Sequence, residues 1–417
     1  MTVESSSAHR HIPALNGLRA LAVTAVIFCH VSNTWDWEQI AQSPLSQPFT
    51  VLFGWGWAGV DLFFVLSGFL ITGILYDAKG KGGYFRNFYA RRALRIMPLY
   101  YGFLSLTLVL LPAVLPHLPT RLSALLQVPE LTPGQVLSLL LYYSNWQIAF
   151  THHSLDLFTP FWSLAVEEHF YLLWPLAVWL FSGRSLMRVC ILGAIASLGF
   201  RMVVIGMGAD DQIARLITPG ALDGLLCGAW LAIARRDPAA WSKARRWTLP
   251  VLGVSGAIVL CLVASKMQFV AGLDLRMTDK TLPGGFLIGT LGIVALALFF
   301  GALLARILDA PEESPLRRLL ERPSLMAIGK YSYAIYVFHS LILIYLYRLA
   351  AGRLAPYIPL SPAKVIIALS LLGISFVAAW LSYYSFEIHF LRLKRFFEYG
   401  RQPRPQVLTT APQSVEL

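Results

Sequence analysis

An arginine and a histidine share the first long apolar run of this 417-residue chain. Arg19 and His30 are eleven residues apart, which is about 16 Å along a helix and close to three full turns. Both side chains would therefore face one side of the helix, with Arg19 near one end and His30 near the other. A histidine in such a run can act as a general base, because its pKa lies near working pH, or as a hydrogen-bonded core residue. The sequence alone leaves both roles open.

Two carboxylates fall inside later apolar runs. Asp61 lies near the start of the second run, and Glu167 lies eight residues past Thr159 in the fourth, about 12 Å along a helix. Glu167 and His30 reach similar depths, so we expect Glu167 to orient the imidazole and stabilise its cation, as a third group does in catalytic triads. Spacing does not decide between Glu167 and Asp61 for this role. Helix packing or a proton relay would also place carboxylates here.

Three arginines form a cationic face where the third apolar run begins. Arg91 and Arg95 are four residues apart, and Arg92 and Arg95 are three apart, spacings that bring side chains together on one helix face. Guanidinium groups bind phosphate bidentately, so this face suits a nucleotide-bearing donor. The alternative is that these arginines only fix the orientation of the chain in a membrane.

The composition is that of an integral membrane protein. Hydrophobic residues make up 57% of the chain and charged residues 13%, and the mean hydropathy is +0.62. Such a chain has too few polar residues to cover a soluble surface. The net charge of +12 comes from basic residues in short loops between apolar runs, so no nucleic-acid partner is expected. All four cysteines fall in apolar runs, so we expect neither a disulfide framework nor a metal site.

Ten apolar runs approach the 20 residues that a helix needs to cross a bilayer. We therefore predict an all-α integral membrane protein with about ten transmembrane helices. The predicted spans are 14–34, 55–76, 96–116, 159–181, 186–207, 213–234, 249–265, 284–306, 329–348 and 364–387. Segments 77–95, 235–248 and 306–330 are basic, whereas 35–54 and 206–212 contain no Lys or Arg. This bias predicts that both chain termini are cytoplasmic.

A further apolar run, 134–150, is short and contains Asn145 and Gln147. Counting it as a span would place Arg184 and Arg188 outside and break the alternation of basic and uncharged loops. We therefore predict that it is re-entrant or lies on the outer surface.

The predicted topology places an arginine face at the inner surface and a histidine with carboxylates in the outer half of the membrane. An extended donor such as acyl-coenzyme A could place its nucleotide against the arginines and its thioester near His30. The imidazole would then act as general base or would transiently carry the acyl group. The alternative is a transporter or acyl-group translocator, whose intramembrane charges would line a path. Inverted repeats, or broken helices in both halves of the chain, would favour that class, and neither is clear from the sequence.

The same motifs, taken in order, resemble the acyltransferase-3 family of membrane acyltransferases. The resemblance covers roughly residues 10–395, which we treat as one transmembrane domain, with 1–9 and 396–417 as cytoplasmic tails. The matching motifs are Arg19 followed by His30, Gly59-Val60-Asp61 through Ser67-Gly68-Phe69, the Arg92-x-x-Arg95 pair, Trp162-Ser163-Leu164 with Glu167, and Tyr331-Ser332-Tyr333 leading to His339.

This resemblance implies transfer of an acyl group, often acetyl, from acyl-coenzyme A to a hydroxyl of an extracytoplasmic carbohydrate or small molecule. It implies a bacterial cytoplasmic membrane protein that uses acyl-coenzyme A as a co-substrate, not as a resident cofactor. His30 would be the base or acyl carrier, Glu167 would be functional, and Arg19, Arg92 and Arg95 would lie on the coenzyme A side. About 30 residues follow the last predicted span, so we expect the branch of the family without an appended esterase-like domain.

Overall fold

Every regular element in the described part of the chain is helical. The structure, a computed structural model, describes residues 12–33, 53–209, 211–266, 286–354 and 360–399. The predicted tail 1–9, most of the tail 396–417 and most of the predicted outer loop 35–54 lie outside these residues. The α-helices of five or more residues in chain order are α1 (Ala14–Asn33), α2 (Ala58–Ala78), α3 (Tyr84–Ser105), α4 (Thr120–Leu126), α5 (Pro133–Leu140), α6 (Ser144–Thr151), α7 (Phe161–Leu180), α8 (Gly183–Gly206), α9 (Asp211–Leu216), α10 (Asp223–Ala234), α11 (Pro238–Lys266), α12 (Ile293–Asp309), α13 (Pro315–Leu320), α14 (Pro323–Lys330), α15 (Ser332–Leu354), α16 (Leu360–Ser382) and α17 (Ile388–Arg392).

Eight of the ten predicted spans coincide with described helices that are long and apolar enough to cross a membrane. A ninth, α7, has 20 residues, about 30 Å, but Glu167, Glu168 and His169 reduce its apolar character. Large apolar side chains on α8 and α11, such as Leu192 and Leu260, face outward, as expected of a surface against lipid. The prediction of an all-α integral membrane protein is confirmed. The side of the membrane on which each terminus lies stays a prediction.

The tenth predicted span, 213–234, is wrong as a continuous helix. The chain instead forms α9, a 3₁₀ turn at Thr218–Ala221 and then α10. Pro219 and Gly220 in this turn explain the break, because proline lacks an amide hydrogen and glycine is a poor helix former. With 12 residues, α10 is about 18 Å long, too short to cross the hydrocarbon core alone.

The segment 134–150 does not form a single span, as predicted. Helices α5 and α6 have eight residues each, so each is only about 12 Å long. Tyr142 lies between them with a φ of 54°, a left-handed backbone conformation that a continuing helix does not contain.

Helix α3 begins well before the predicted span 96–116. Together with a π-helical segment at Leu106–Leu110 and further short turns, it continues to His117. These 34 residues extend about 51 Å, longer than the bilayer core is thick. The early turns carry the arginine face, so position 96 marks where the apolar part begins and not where the helix begins.

Very close packing between α2 and α10 fixes the centre of the bundle. A Cβ added to Gly68 would lie 1.9 Å from the carbonyl oxygen of Leu225, and one added to Gly228 would lie 2.0 Å from that of Val65. Only glycine permits backbones to approach this closely. Helix α1 packs against α2, α14 and α15, and α15 packs against α16. This packing places α2 and α15, two of the helices that carry the candidate site, against α1.

A buried ion pair holds the broken span in place. Arg201 of α8 is 0% exposed and Asp223 at the start of α10 is 3% exposed, and their side chains form a salt bridge. The Arg201 guanidinium also donates to the carbonyl oxygen of Gly220 at 2.7 Å and to Ser197 Oγ at 3.0 Å. The pair therefore ties the turn before α10 to α8.

Candidate active site

The predicted catalytic histidine lies against a second histidine. Nδ1 of His30, on α1, is 3.0 Å from Nε2 of His339, on α15, and the ring centroids are 4.9 Å apart. Nδ1 of His339 lies 2.5 Å from the backbone carbonyl oxygen of Tyr336, and Ser340 Oγ lies 3.2 Å from its Nε2. His339 is fully buried. The motif that ends at His339 thus supplies the imidazole partner of His30.

Glu167 does not take the position predicted for it beside His30. Among its described contacts, the carboxylate interacts with Ser67, Tyr171 and Arg92. Position along a helix gives depth but not the direction in which a side chain points. The Glu167 carboxylate interacts with groups of α2, α3 and α7 and with the Arg19 charge of α1, whereas Nδ1 of His30 lies against His339 of α15. A catalytic role for Glu167 stays a prediction, but orientation of His30 by this carboxylate does not fit the structure.

Asp61 is also paired elsewhere. It is 4% exposed, and its Oδ2 accepts a hydrogen bond of 2.7 Å from Arg215 Nη2. The Arg215 guanidinium lies 4.0 Å from the ring centroid of Trp57 and 5.7 Å from that of Trp162, a cation–π arrangement. Asp61 is therefore paired with Arg215, which lies in the interrupted segment 213–234. The predicted catalytic role of Asp61 stays untested.

Three of the four predicted donor-binding arginines converge on one polar cavity of about 130 Å³. Arg19 reaches it from α1, and Arg92 and Arg95 reach it from α3. Glu167 and Glu168 line the same cavity, so three guanidinium groups face two carboxylates. The excess of positive charge makes the cavity suitable for an anionic group such as phosphate.

The fourth arginine, Arg91, lies outside this cavity. Its Nη1 donates to the carbonyl oxygens of Lys394 at 3.3 Å and Phe397 at 3.4 Å. Arg91 lies one turn before Arg95, where the C-terminal segment packs against α3, so its guanidinium holds that segment. The structure does not support the predicted donor-binding role of Arg91.

The aromatic ring of Tyr171 and the hydroxyl groups of Tyr171 and Ser67 complete the wall of the cavity. The Arg92 guanidinium lies 4.8 Å from the ring centroid of Tyr171, and the Tyr171 hydroxyl is 2.5 Å from Ser67 Oγ. The ring thus fixes the direction of the guanidinium through a cation–π contact. Tyr171 is four residues from Glu167 on α7, a spacing that places both on one face and that the sequence reasoning did not use.

Tyr336 connects the cavity to the histidine pair. Its side chain lines the cavity, its hydroxyl donates to the carbonyl oxygen of Pro160 at 2.7 Å, and its backbone carbonyl accepts from His339. Tyr336 therefore contacts both the arginine cavity and the histidine pair, and Arg19 and His30 are about 16 Å apart along α1.

The sequence reasoning missed two partners for different reasons. His339 stood out as a histidine in an apolar run with a family-like motif before it, but nothing in the sequence pairs it with His30. Arg215 is an ionisable residue inside the predicted span 213–234, but nothing in the sequence pairs it with Asp61.

Comparison with known sequences decides the family. A family profile described as an acyltransferase domain matches residues 12–384, which is most of the chain. The chain belongs to this acyltransferase family. The motifs that gave the resemblance, from Arg19 to His339, all lie within the matched range.

Several relatives are named as bacterial O-acetyltransferases. The O-acetyltransferase OatA of Staphylococcus aureus is 28% identical over 371 residues, covering 82% of this chain and 52% of that protein. The peptidoglycan O-acetyltransferase OatA of Listeria monocytogenes is 28% identical over 351 residues, 79% of this chain and 49% of that protein. The putative peptidoglycan O-acetyltransferase YrhL of Bacillus subtilis is 37% identical over 182 residues, 40% of this chain and 24% of that protein. The chain thus spans about half the length of the first of these acyltransferase relatives, and no solved structure gives a significant match.

Proposed function

We propose that this multi-pass membrane protein is an O-acyltransferase that moves an acyl group, most simply acetyl, from cytoplasmic acyl-coenzyme A to a hydroxyl of an extracytoplasmic carbohydrate. The observation that carries the proposal is the family match across residues 12–384. Peptidoglycan is the first acceptor to test, because the names of two relatives refer to it. The proposed location is the bacterial cytoplasmic membrane.

The arginine cavity is the proposed site for the phosphates of the donor. Arg19, Arg92 and Arg95 line it together, and guanidinium groups form strong, bidentate hydrogen bonds to phosphate. By the positive-inside rule this end of the site faces the cytoplasm, where acyl-coenzyme A is made. The thioester would then extend along α1 towards His30.

His30 is the proposed acid–base group. As a base, its imidazole takes the proton of the acceptor hydroxyl while the oxygen attacks the thioester carbonyl carbon. The carbon–sulfur bond breaks, and the departing thiolate takes that proton to give free coenzyme A. Alternatively the imidazole attacks first and carries the acyl group before the hydroxyl removes it. Both routes give the same ester and the same free thiol.

The test uses purified protein in lipid nanodiscs with radiolabelled acetyl-coenzyme A, with and without peptidoglycan fragments. We expect release of free coenzyme A and label in the glycan for the wild type, and neither for His30→Ala. His389→Ala is the matched control, because His389 is exposed and does not line the arginine cavity. Equal release by His30→Ala and wild type would refute the role of His30. Acyl-group movement across the bilayer without an acylated acceptor would favour a translocator.

Donor binding is tested separately. Arg92→Ala with Arg95→Ala should weaken binding of acetyl-coenzyme A by about 100-fold or more, since each charge-assisted hydrogen bond contributes roughly 1.5–3 kcal/mol. Arg318→Ala, a change of the same charge at an exposed position, is the control. Unchanged affinity in the double variant would contradict the phosphate site.

A further inference from the structure

The histidine pair contains information about which ring nitrogen carries each proton. Nδ1 of His339 lies 2.5 Å from the backbone carbonyl oxygen of Tyr336. A carbonyl oxygen only accepts hydrogen bonds, so Nδ1 of His339 must carry a hydrogen.

The other nitrogen of His339 is then an acceptor. His339 is fully buried, and its described partners, Tyr336, Ser340 and His30, include no carboxylate. A second proton on this ring would leave a buried positive charge without a counter-ion, which is costly. In the neutral ring, Nε2 carries the lone pair, and the Ser340 hydroxyl at 3.2 Å is a donor that suits it.

This assignment determines the tautomer of His30. Nδ1 of His30 lies 3.0 Å from Nε2 of His339, and two nitrogen lone pairs cannot form a hydrogen bond with each other. Nδ1 of His30 must therefore be the donor, which leaves the lone pair of its neutral ring on Nε2.

We propose that His339 is a positioning residue that holds His30 in the tautomer protonated on Nδ1, with the basic lone pair on Nε2 for the reaction. The proposal rests on the proposed acyltransferase function, in which His30 takes a proton or an acyl group. The hydrogen bonds form a series from the Tyr336 carbonyl to His339 and from His339 to His30. Each acceptor determines which ring nitrogen of the next histidine carries the hydrogen. A second imidazole does here what a carboxylate does in a serine-hydrolase triad, without placing a negative charge in the bundle.

The direct test is nitrogen-15 NMR of histidine-labelled wild-type protein in lipid, with signals of His30 identified by their loss in His30→Gln. We expect protonated Nδ1 and unprotonated Nε2 for His30 in the resting protein. A resting His30 protonated on Nε2, or an even mixture of the two forms, would overturn the proposal. This measurement needs no substrate, so it stands even if no acyl transfer is found and the proposed function fails.

The second test compares two variants of the same residue in the acetyl-coenzyme A assay. His339→Leu removes the acceptor and should lower kcat by roughly 100-fold, the typical contribution of a positioned acid–base group. It should leave KM for acetyl-coenzyme A within about 3-fold, because the arginine cavity lies towards the other end of α1. His339→Gln places an amide oxygen where Nε2 lies and should restore kcat to within about 10-fold of wild type.

The two variants also separate positioning from simple loss of packing. A purely structural role predicts that both variants lose kcat equally, or that both fail to accumulate, whatever their hydrogen-bonding groups. Equal kcat for His339→Leu and His339→Gln in folded protein would overturn the proposal. If His339→Leu does not fold, His339→Gln and the wild-type tautomer still decide it.

Discussion

Replacing Arg201 by methionine should destabilise the protein by about 3–5 kcal/mol, the usual cost of removing one partner from a buried ion pair. Arg201 is 0% exposed and Asp223 3% exposed. Without Arg201, the carboxylate of Asp223 would keep only the hydroxyl of Ser197, at 2.8 Å, among its described hydrogen bonds. The carbonyl oxygen of Gly220 would lose its guanidinium donor as well.

The measurement is unfolding in mixed micelles, followed by fluorescence of the 12 tryptophans. A double-mutant cycle adds Asp223→Leu alone and both changes together. Removal of both charges should recover most of the loss, because a neutral pair leaves no unpaired buried charge. A loss below about 1 kcal/mol for Arg201→Met, or simple additivity in the double variant, would refute the reasoning.

Three further outcomes follow from packing and charge. Gly228→Ala should cost about 1–3 kcal/mol in the same unfolding assay, because its Cβ would lie 2.0 Å from a backbone oxygen, whereas Gly199→Ala, with open space around it, should be neutral or stabilising by up to about 1 kcal/mol. Tyr171→Phe keeps the ring under Arg92, so the KM of Tyr171→Leu for acetyl-coenzyme A should exceed that of Tyr171→Phe by a factor of about 3–10. Equal KM values for the two variants would exclude the cation–π contact. Arg91→Ala should change that KM by less than about 3-fold, whereas Arg92→Ala should raise it by about 10-fold or more; the reverse order would restore Arg91 to the donor site.

The fold was largely predictable because lipid leaves the backbone few alternatives to the helix. Apolar runs of sufficient length located eight spans directly, and loop charges showed that 134–150 should not cross. The run 213–234 failed because hydropathy averages over a window and does not register the local effect of Pro219 and Gly220. The path of the chain through α9, the turn and α10 depends on tertiary contacts, above all the ion pair between Arg201 and Asp223. Such contacts cannot be predicted from a local sequence pattern.

For the candidate site, the sequence predicted which residues lie near one another better than it predicted which of them are in contact. His30, Arg19, Arg92 and Arg95 were found from depth and helical spacing, and the structure places the three arginines together. The expected contact between His30 and Glu167 failed because depth is one coordinate, whereas contact also requires the direction of each side chain around its helix.

Intramembrane charge by itself does not identify catalytic residues. The described structure contains two kinds of charged group in the apolar runs: those in closed ion pairs and those in a cavity with excess positive charge. Arg201 with Asp223 and Arg215 with Asp61 form close ion pairs between helices, and their geometry accounts for their presence at depth without any reaction. The arginines of the cavity instead outnumber its carboxylates, and the excess positive charge is at a site that can admit an anion. Under the proposed function His30 acts together with these arginines, because the neutral imidazole of His339 leaves the His30 ring able to accept a proton. Charge balance and protonation, not burial, separate the structural ion pairs from the groups of the candidate site. Variants of Arg201 should therefore change stability, whereas variants of His339 should change turnover.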